Sequence, residues 1–291
     1  MPDRSAPLAP DVTLPDPTAP VAPTPLDRQI GASLPRLVAV MRRLLAPDGC
    51  PWDREQTPDS LKRYVLEEAC EVIDAIEEND PGHLREELGD LLLQVVFQAE
   101  LARRTGDFGP DDVVEAIVEK LVRRHPHVFG DVVAKDAKTV LENWEQLKAK
   151  EKGERGVLSG IPRALPSLVR AQRVGEKVAR VGFDWPSIDG SRAKVDEELG
   201  ELDAAMATGD VAKIEDELGD VLFALVNLAR HVVTRDGGGI DAEGALRRTT
   251  DKFTKRFNTV EKRVRAELGG FAAKPTLAQM DLFWEEAKKD D

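Results

Sequence analysis

Two sets of acidic residues recur 130 positions apart, with a spacing that is typical of a metal site. The two sets are Glu68, Glu71, Glu87 and Asp90, and Glu198, Glu201, Glu217 and Asp220. Each set contains two pairs with a spacing of three residues, which places both members of a pair on one face of a helix. Carboxylates from two neighbouring helices can surround a hard divalent cation. The pattern predicts an Mg²⁺ site in each half of the chain, with Mn²⁺ as an alternative cation.

Acids at this spacing also occur on solvated helix faces, so their position relative to the apolar residues matters. On a helical wheel, Glu68 falls inside the apolar stripe of its helix, whereas Glu198 lies beside its stripe and is expected to be less buried. A carboxylate is rarely left against a core without a partner. Asp90 and Asp220 each precede a long apolar run, so the helices that carry them are expected to be central.

Two glycines lie within the same predicted helices, directly before the last acid of each set. Gly89 and Gly219 each cost about 1 kcal/mol relative to alanine at such a position. Close approach of another helix or of a ligand would offset that cost, and a tolerated packing glycine is the alternative.

Other metal chemistries fit the residues less well. Carboxylate and water oxygens suit Mg²⁺, Mn²⁺ or Ca²⁺ rather than zinc. A di-iron bundle would need Glu-x-x-His pairs. None of the histidines His83, His125, His127 and His231 lies three residues after a glutamate.

Each half also carries cationic and aromatic side chains that can bind a phosphate-bearing ligand. They are Lys120, Arg124 and Trp144 in the first half, and Lys252, Arg256 and Trp284 in the second. The lysine and the arginine of each half are four residues apart and present one cationic face, while the tryptophan can stack on a base or close the core. Lys213 precedes Glu217 by one turn. Its counterpart in the first half is His83, so that half lacks this fixed positive charge.

The elements that position these residues are predicted to be helices, with no alternating strand pattern. The predicted helices cover about 34–45, 60–78, 83–104, 111–124, 138–152, 166–180, 191–207, 210–235, 241–268 and 276–289. Residues 49–53 are predicted to form a loop. The fold is therefore expected to be all-α. We expect a disordered Pro/Ala-rich tail (1–30), an N-terminal helical domain (31–152), a linker (153–165) and a C-terminal helical domain (166–291).

Composition restricts the classes of partner. Apolar residues make up 41% of the chain, which is enough for a core, and the formal net charge is −13. That charge argues against binding to nucleic acid, which needs a cationic surface. No apolar run is long enough to span a membrane. Two cysteines, Cys50 and Cys70, are too few for a disulfide framework, so a cytoplasmic location is expected.

Several motifs, taken in order, resemble the MazG family of nucleoside triphosphate pyrophosphohydrolases, in its two-domain bacterial form. They are the Gly-Cys-Pro-Trp-Asp segment at 49–53, the two acidic sets, the Arg-Arg-His-Pro-His-Val-Phe segment at 123–129, and the Val-Gly-Phe-Asp-Trp segment at 181–185. The likeness covers about residues 34–291. One departure is the spacing from Arg124 to Trp144, which is shorter than that from Arg256 to Trp284, so the two tryptophans need not be equivalent.

The resemblance implies tandem helical domains whose bundles are completed in a homodimer, and Mg²⁺-dependent conversion of a nucleoside triphosphate to the monophosphate and pyrophosphate. It implies that the second copy is the main catalyst. By position, the family's metal ligands and catalytic acids match Glu198, Glu201, Glu217 and Asp220, and its nucleotide contacts match Lys213, Lys252, Arg256 and Trp284. The first copy keeps all four acids, so its activity stays open.

Two other functions remain consistent with the residues. A related all-α hydrolase would keep the metal but restrict the substrate to dUTP or dCTP. A non-catalytic scaffold or nucleotide sensor would bind nucleotide without forming product, or would not bind it. The preferred base and sugar, the general base and the physiological role are not determined by the sequence.

Overall fold

The computed structural model describes residues 28–132, 156–232 and 238–289, together with Asp16, Thr18, Pro25, Asp136, Thr139, Val140 and Trp144. The chain divides into two compact units, Met1–Lys152 and Gly153–Asp291. Most of the predicted tail (1–30) and of the predicted helix at 138–152 lies outside the described residues. Within the described ranges the regular structure is helical and no strand occurs, which confirms the predicted all-α fold.

The described helices of the first unit lie close to the predicted ones. They are α1 (Leu34–Leu44), α2 (Pro51–Glu55), α3 (Lys62–Glu78), α4 (Pro81–Thr105), α5 (Pro110–Arg124) and α6 (Pro126–Phe129). The loop predicted at 49–53 is wrong in part, because α2 begins at Pro51, whose fixed φ suits the first position of a helix.

The second unit repeats this order. Its helices are α7 (Ser167–Ala179), α8 (Ile188–Thr208), α9 (Val211–His231), α10 (Ala242–Glu267) and α11 (Leu277–Ala287), with a short 3₁₀ turn at Phe271–Ala273 before α11. The predicted helix 210–235 ends earlier, at His231, and residues 233–237 lie outside the described part.

A helical hairpin forms the centre of each unit, and the two hairpin turns use the same device. Asn79 ends α3 in the left-handed conformation with φ 55°, and Gly209 ends α8 with φ 69°. The next residue caps the following helix: Asp80 accepts a hydrogen bond from Gly82 N at 2.8 Å. Asp210 likewise accepts one from Ala212 N at 3.1 Å. Such caps satisfy amides that the first turn leaves unpaired, and the short turns make the paired helices antiparallel.

Each unit has its own core. In the first unit α1 packs against α4 and the core includes Met41, Leu61 and Phe97. In the second unit α7 packs against α9, and α10 packs against α11 around Val260 and Val264. These contacts fix the outer helices against each hairpin and hold the acid-bearing helices in register.

The helices α4 and α9 are central in their units, as expected, since each packs against several other helices, but part of their apolar surface stays exposed. Leu88 and Val95 on α4 remain 49% and 46% exposed, and Leu218 and Leu222 on α9 remain 49% and 46% exposed. Each of these helices buries one face in its unit and leaves a second apolar face uncovered. Among the described helices, none is both long enough and apolar enough to cross a membrane.

Candidate metal centre

Three of the four predicted acids of the second unit converge. Glu198 and Glu201 extend from α8 and Glu217 from α9, and one carboxylate oxygen from each lies within 4.8 Å of the others. The antiparallel hairpin brings them together because the i, i+3 pair of α8 faces the start of α9. Three carboxylates at this separation form an oxygen-rich ligand set of the kind that Mg²⁺, Mn²⁺ and Ca²⁺ prefer.

Glu198 is the most constrained member of this cluster. The residue is 6% exposed, and its Oε2 is buried without a hydrogen-bond partner among the described residues. Its Oε1 accepts a charge-assisted contact from Lys194 Nζ at 2.8 Å. A buried polar atom without a partner costs about 1–3 kcal/mol. A divalent cation between the carboxylates would remove that cost, so the residues fit such a group.

Glu201, the neighbour of Glu198 in the cluster, is also in an unfavourable environment for a negative charge. The pKa of Glu201 is raised above its usual value, chiefly because its carboxyl group can share a proton with Glu198. Burial and the charges of Glu198 and Glu217 raise this pKa further, while Lys194 opposes them. Carboxylates that repel one another raise each other's pKa, and a cation between them would stabilise their ionised forms.

Lys194 was not among the predicted site residues. It lies one turn before Glu198 on α8, and its Nζ is also 2.8 Å from Glu197 Oε1. The i, i+4 spacing to Glu198 is the signal that would have identified it. The residue at the matching position of the first unit is Tyr64.

The first unit contains a matching cluster of Glu68, Glu71 and Glu87, whose ligand oxygens also lie within 4.8 Å of one another. The pKa of Glu68 is raised, first by burial and then by Glu71 and by the charges of Asp90 and Glu87. His83, at the position of Lys213, places Nε2 3.1 Å from Glu87 Oε1.

His83 also places Nδ1 2.8 Å from Glu78 Oε2, and this hydrogen bond is the main cause of a raised pKa for the imidazole. Both ring nitrogens thus face carboxylates. In the first unit a titratable group therefore occupies the position of the fixed charge of Lys213.

The prediction that Glu68 is more buried than Glu198 is wrong. Glu68 is half-buried, whereas Glu198, expected to be the more exposed, is the more buried of the two. Glu198 contacts the ammonium group of Lys194, and a helical wheel of α8 takes no account of such a contact. The first unit has Tyr64 at that position and has no equivalent ammonium group there.

Asp90 and Asp220 are exposed and lie outside the two three-residue clusters. Asp90 is nevertheless close enough to contribute to the raised pKa of Glu68. Their role as metal ligands stays a prediction.

The glycines before these aspartates have open space beside them. A Cβ at Gly89 or Gly219 would meet no described atom within 4 Å. The interpretation that another helix of the same unit approaches these glycines closely is therefore wrong. An approach by a ligand or by a second copy of the chain is left open.

The predicted nucleotide contacts of the second unit lie on three helices. Lys213 is exposed in the first turn of α9, one turn before Glu217. Lys252 and Arg256 lie on α10, and the Arg256 guanidinium is 5.9 Å from the ring centroid of Trp284 on α11. Phe253, which was not predicted, packs 4.8 Å from Trp284. Trp284 thus belongs to an aromatic cluster with a cation beside it.

The corresponding residues of the first unit show the same pairing. Lys120 is exposed on α5, and the Arg124 guanidinium lies 5.3 Å from the ring centroid of Trp144. This cation–π contact resembles that of Arg256 with Trp284, despite the shorter spacing along the chain. Whether these residues bind substrate stays a prediction.

Comparison with known proteins supports the repeat. Residues 56–129 and 189–261 each match the MazG nucleotide pyrophosphohydrolase domain. A nucleoside triphosphate pyrophosphohydrolase of Escherichia coli K12 is 45% identical over 88% of this chain and 97% of its own length. A nucleoside triphosphate pyrophosphohydrolase/pyrophosphatase MazG of Thermotoga maritima is 41% identical over 91% of this chain and 99% of its own.

A crystal structure of a mazG-related protein from Thermotoga maritima covers 39% of this chain and 96% of its own, at 27% identity and a TM-score of 0.35. Each of the two domain matches contains one carboxylate cluster, and the matches to the two full-length relatives include both clusters. The chain belongs to the MazG nucleotide pyrophosphohydrolase family.

Proposed function

We propose that the protein is an Mg²⁺-dependent hydrolase that converts nucleoside or deoxynucleoside triphosphates to the monophosphate and pyrophosphate. The buried, unpartnered Oε2 of Glu198, inside a cluster of three carboxylates, is the observation that carries the proposal. The names of the relatives from Escherichia coli and Thermotoga maritima supply the reaction class.

The chain's own residues have distinct tasks in this proposal. Glu198, Glu201 and Glu217, with Asp220 beside them, hold the cation. When bound, the cation supplies positive charge to the triphosphate and makes water more acidic. One carboxylate of the site accepts the proton of the attacking water.

Substrate binding falls to the cationic and aromatic residues. Lys213, Lys252 and Arg256 stabilise the negative charge that develops on the leaving pyrophosphate. Trp284 offers a ring face for the base. Lys194 orients Glu198, since its ammonium group binds Oε1 directly.

The second unit is proposed to be the main catalytic unit, with the domain boundaries expected from the sequence. Its cluster has two lysines beside it, Lys194 and Lys213, where the first unit has Tyr64 and His83. A triphosphate carries several negative charges, so the unit with more fixed cations should bind it better. The first unit is proposed to bind Mg²⁺ through Glu68, Glu71, Glu87 and Asp90 and to hydrolyse nucleotide more slowly.

A homodimer is also proposed. The uncovered apolar face of α9 includes Leu218, Leu222 and Leu225, and the equivalent face of α4 includes Leu88 and Val95. Exposed apolar patches of this kind mark association surfaces. Sedimentation velocity tests this part directly, because Leu222→Glu should shift the protein towards the monomer. A cytoplasmic location remains an expectation from the two unpaired cysteines.

The reaction is tested by incubating the full chain with ATP and Mg²⁺ and separating the products. AMP and pyrophosphate in equal amounts are expected, and Glu201→Gln and Asp220→Asn should abolish them without loss of helical content. Glu71→Gln, the matched change in the first unit, should leave most of the activity. Nucleotide binding without any product would instead favour a sensor.

A panel of triphosphates that includes dUTP and dCTP, run with Mg²⁺ and then Mn²⁺, measures substrate range. Turnover confined to dUTP or dCTP would replace the broad specificity proposed here with the narrower one.

A further inference from the structure

A cluster of charged and aromatic side chains lies in the second unit, away from the acidic site. The Arg230 guanidinium on α9 makes two hydrogen bonds to Asp184 in the loop before α8, at 2.6 and 2.8 Å. His231 Nε2 lies 3.1 Å from the same carboxylate. The side chains of Asp184, Arg230 and His231 are 24%, 13% and 11% exposed, so the group is largely removed from water. Arg230 holds the pKa of Asp184 below its usual value.

Trp185 joins this cluster to the start of α8. Its ring makes an edge-on contact with His231 at 5.9 Å between centroids. Trp185 also lies against Gly190, where an added Cβ would overlap its side chain. Gly175 on α7 similarly leaves room for Arg230 and for Asn227, which an added Cβ would meet at 3.1 and 2.6 Å. Two glycines thus permit a close junction between the loop and three helices.

The junction lies at the open end of the hairpin that carries the acids. The turn at Gly209 and Asp210 closes the other end. Glu198 is ten residues from the start of α8 at Ile188, or about 15 Å along the helix axis. The acids therefore lie between two fixed points, the turn on one side and the Asp184–Arg230 contact on the other.

The first unit has an ionic contact at the corresponding end of its hairpin, but there the hairpin helix carries the acid and the preceding helix carries the base. The position that matches Arg230 is Glu100, which is fully buried. Glu100 accepts hydrogen bonds from Arg42 on α1 at 3.0 Å and from Arg103 at 2.6 Å. In both units an ionic contact thus joins the end of the second hairpin helix to a segment that precedes the hairpin: α1 in the first unit and the loop of Asp184 in the second.

We infer that Asp184 is a positioning residue of the second unit, which acts through Arg230 and Trp185 to hold the open end of the α8–α9 hairpin and thereby the spacing of the carboxylate cluster. The inference rests on the proposed function only in requiring that this cluster binds a divalent cation. Partners that orient metal ligands typically contribute ten- to hundredfold to metal affinity. A contact that acts through the helix spacing should contribute less, about three- to tenfold.

The test measures Mn²⁺ binding to the nucleotide-free full chain by calorimetry. All proteins carry Glu87→Gln, so that the first unit's cluster does not contribute. Asp184→Asn should weaken binding about three- to tenfold. It should also raise the Mg²⁺ concentration for half-maximal activity while leaving kcat at saturating Mg²⁺ nearly unchanged. A purely structural role would lower the active fraction without changing the affinity of the folded protein.

Asp48→Asn is the matched control, because Asp48 forms an exposed ion pair with Arg43 in the corresponding loop of the first unit, at 2.7 Å. It should bind Mn²⁺ as tightly as the parent protein. Equal affinity in Asp184→Asn and in this control would overturn the inference. No Mn²⁺ binding by the parent protein would instead refute the proposed function.

If Asp184→Asn loses helical content, Arg230→Lys decides the matter, because lysine keeps the charge but cannot bind both carboxylate oxygens in a fixed plane. Weaker Mn²⁺ binding with intact helices supports the inference, and unchanged binding overturns it.

Discussion

Replacement of Glu198 by glutamine should have opposite effects on the protein with and without a divalent cation. Glu198 is the buried carboxylate whose Oε1 meets Lys194 and whose Oε2 has no partner. The substitution keeps the size of the side chain and removes its charge. The metal-free protein loses one partly exposed ion pair, worth about 0–1 kcal/mol. It is relieved of the like-charge repulsion between Glu198 and the carboxylates of Glu201 and Glu217, which a neutral amide does not have.

The metal-free variant should therefore be at least as stable as the parent protein. The parent should gain about 2.7 kcal/mol from Mg²⁺ at about a hundred times its dissociation constant. For a unit of this size about 1 kcal/mol corresponds to a change in Tm of roughly 4 °C, so the expected increase is about 10 °C. In Glu198→Gln the cation loses one of three clustered carboxylates, and the increase should fall below about 2 °C.

Differential scanning calorimetry with EDTA and then with Mg²⁺ measures both quantities. Glu197→Gln is the matched control, since Glu197 also binds Lys194 at 2.8 Å but is exposed and lies outside the cluster. Its Mg²⁺-dependent increase in Tm should equal that of the parent. The reasoning is refuted if Glu198→Gln and Glu197→Gln respond equally to Mg²⁺.

Four further substitutions have outcomes that the same contacts predict. Lys213→His should lower kcat/KM about thirtyfold, since a charge-assisted contact is worth about 2 kcal/mol. His83→Lys should raise the activity of the first unit, measured in a Glu217→Gln background. No gain in activity would contradict the proposal that the fixed charge of Lys213 makes the second unit the better catalyst. Asp210→Ala should cost about 1 kcal/mol in urea unfolding through loss of the α9 cap, and an unchanged midpoint would contradict the capping role. Because the pKa of Asp184 is lowered in the folded protein, its carboxylate stabilises the second unit at pH values above the usual carboxyl range. This stabilisation is lost as the pH falls through the lowered pKa. Asp184→Asn should therefore flatten the acid limb of the curve of unfolding free energy against pH.

The hairpins and three of the four predicted acids of each carboxylate cluster could be predicted from local signals. The spacing of three residues places Glu68 with Glu71 and Glu198 with Glu201, and the turn residues before Pro81 and Val211 bring the second helix back alongside the first. These properties depend on helical periodicity and on turn chemistry within a few residues. Helical periodicity and turn chemistry do not depend on the rest of the fold, so they can be recognised in the sequence alone.

The burial of Glu198 could not be predicted in the same way, because it depends on neighbouring side chains and not on helical periodicity alone. The contact between Asp184 and Arg230 joins residues 46 positions apart, so no local periodicity indicates it. The apolar runs after Asp90 and Asp220 show that these helices need partners, but periodicity does not say whether the partner is the same unit or another copy. The exposed faces of α4 and α9 are the result.

The most direct test of the metal site is a crystal structure of the full chain grown with Mn²⁺, with anomalous data collected for the ion. The account predicts an anomalous peak between Glu198, Glu201 and Glu217, about 2.0–2.3 Å from their carboxylate oxygens. Ordered carboxylates with no peak in either unit at saturating Mn²⁺ would contradict it.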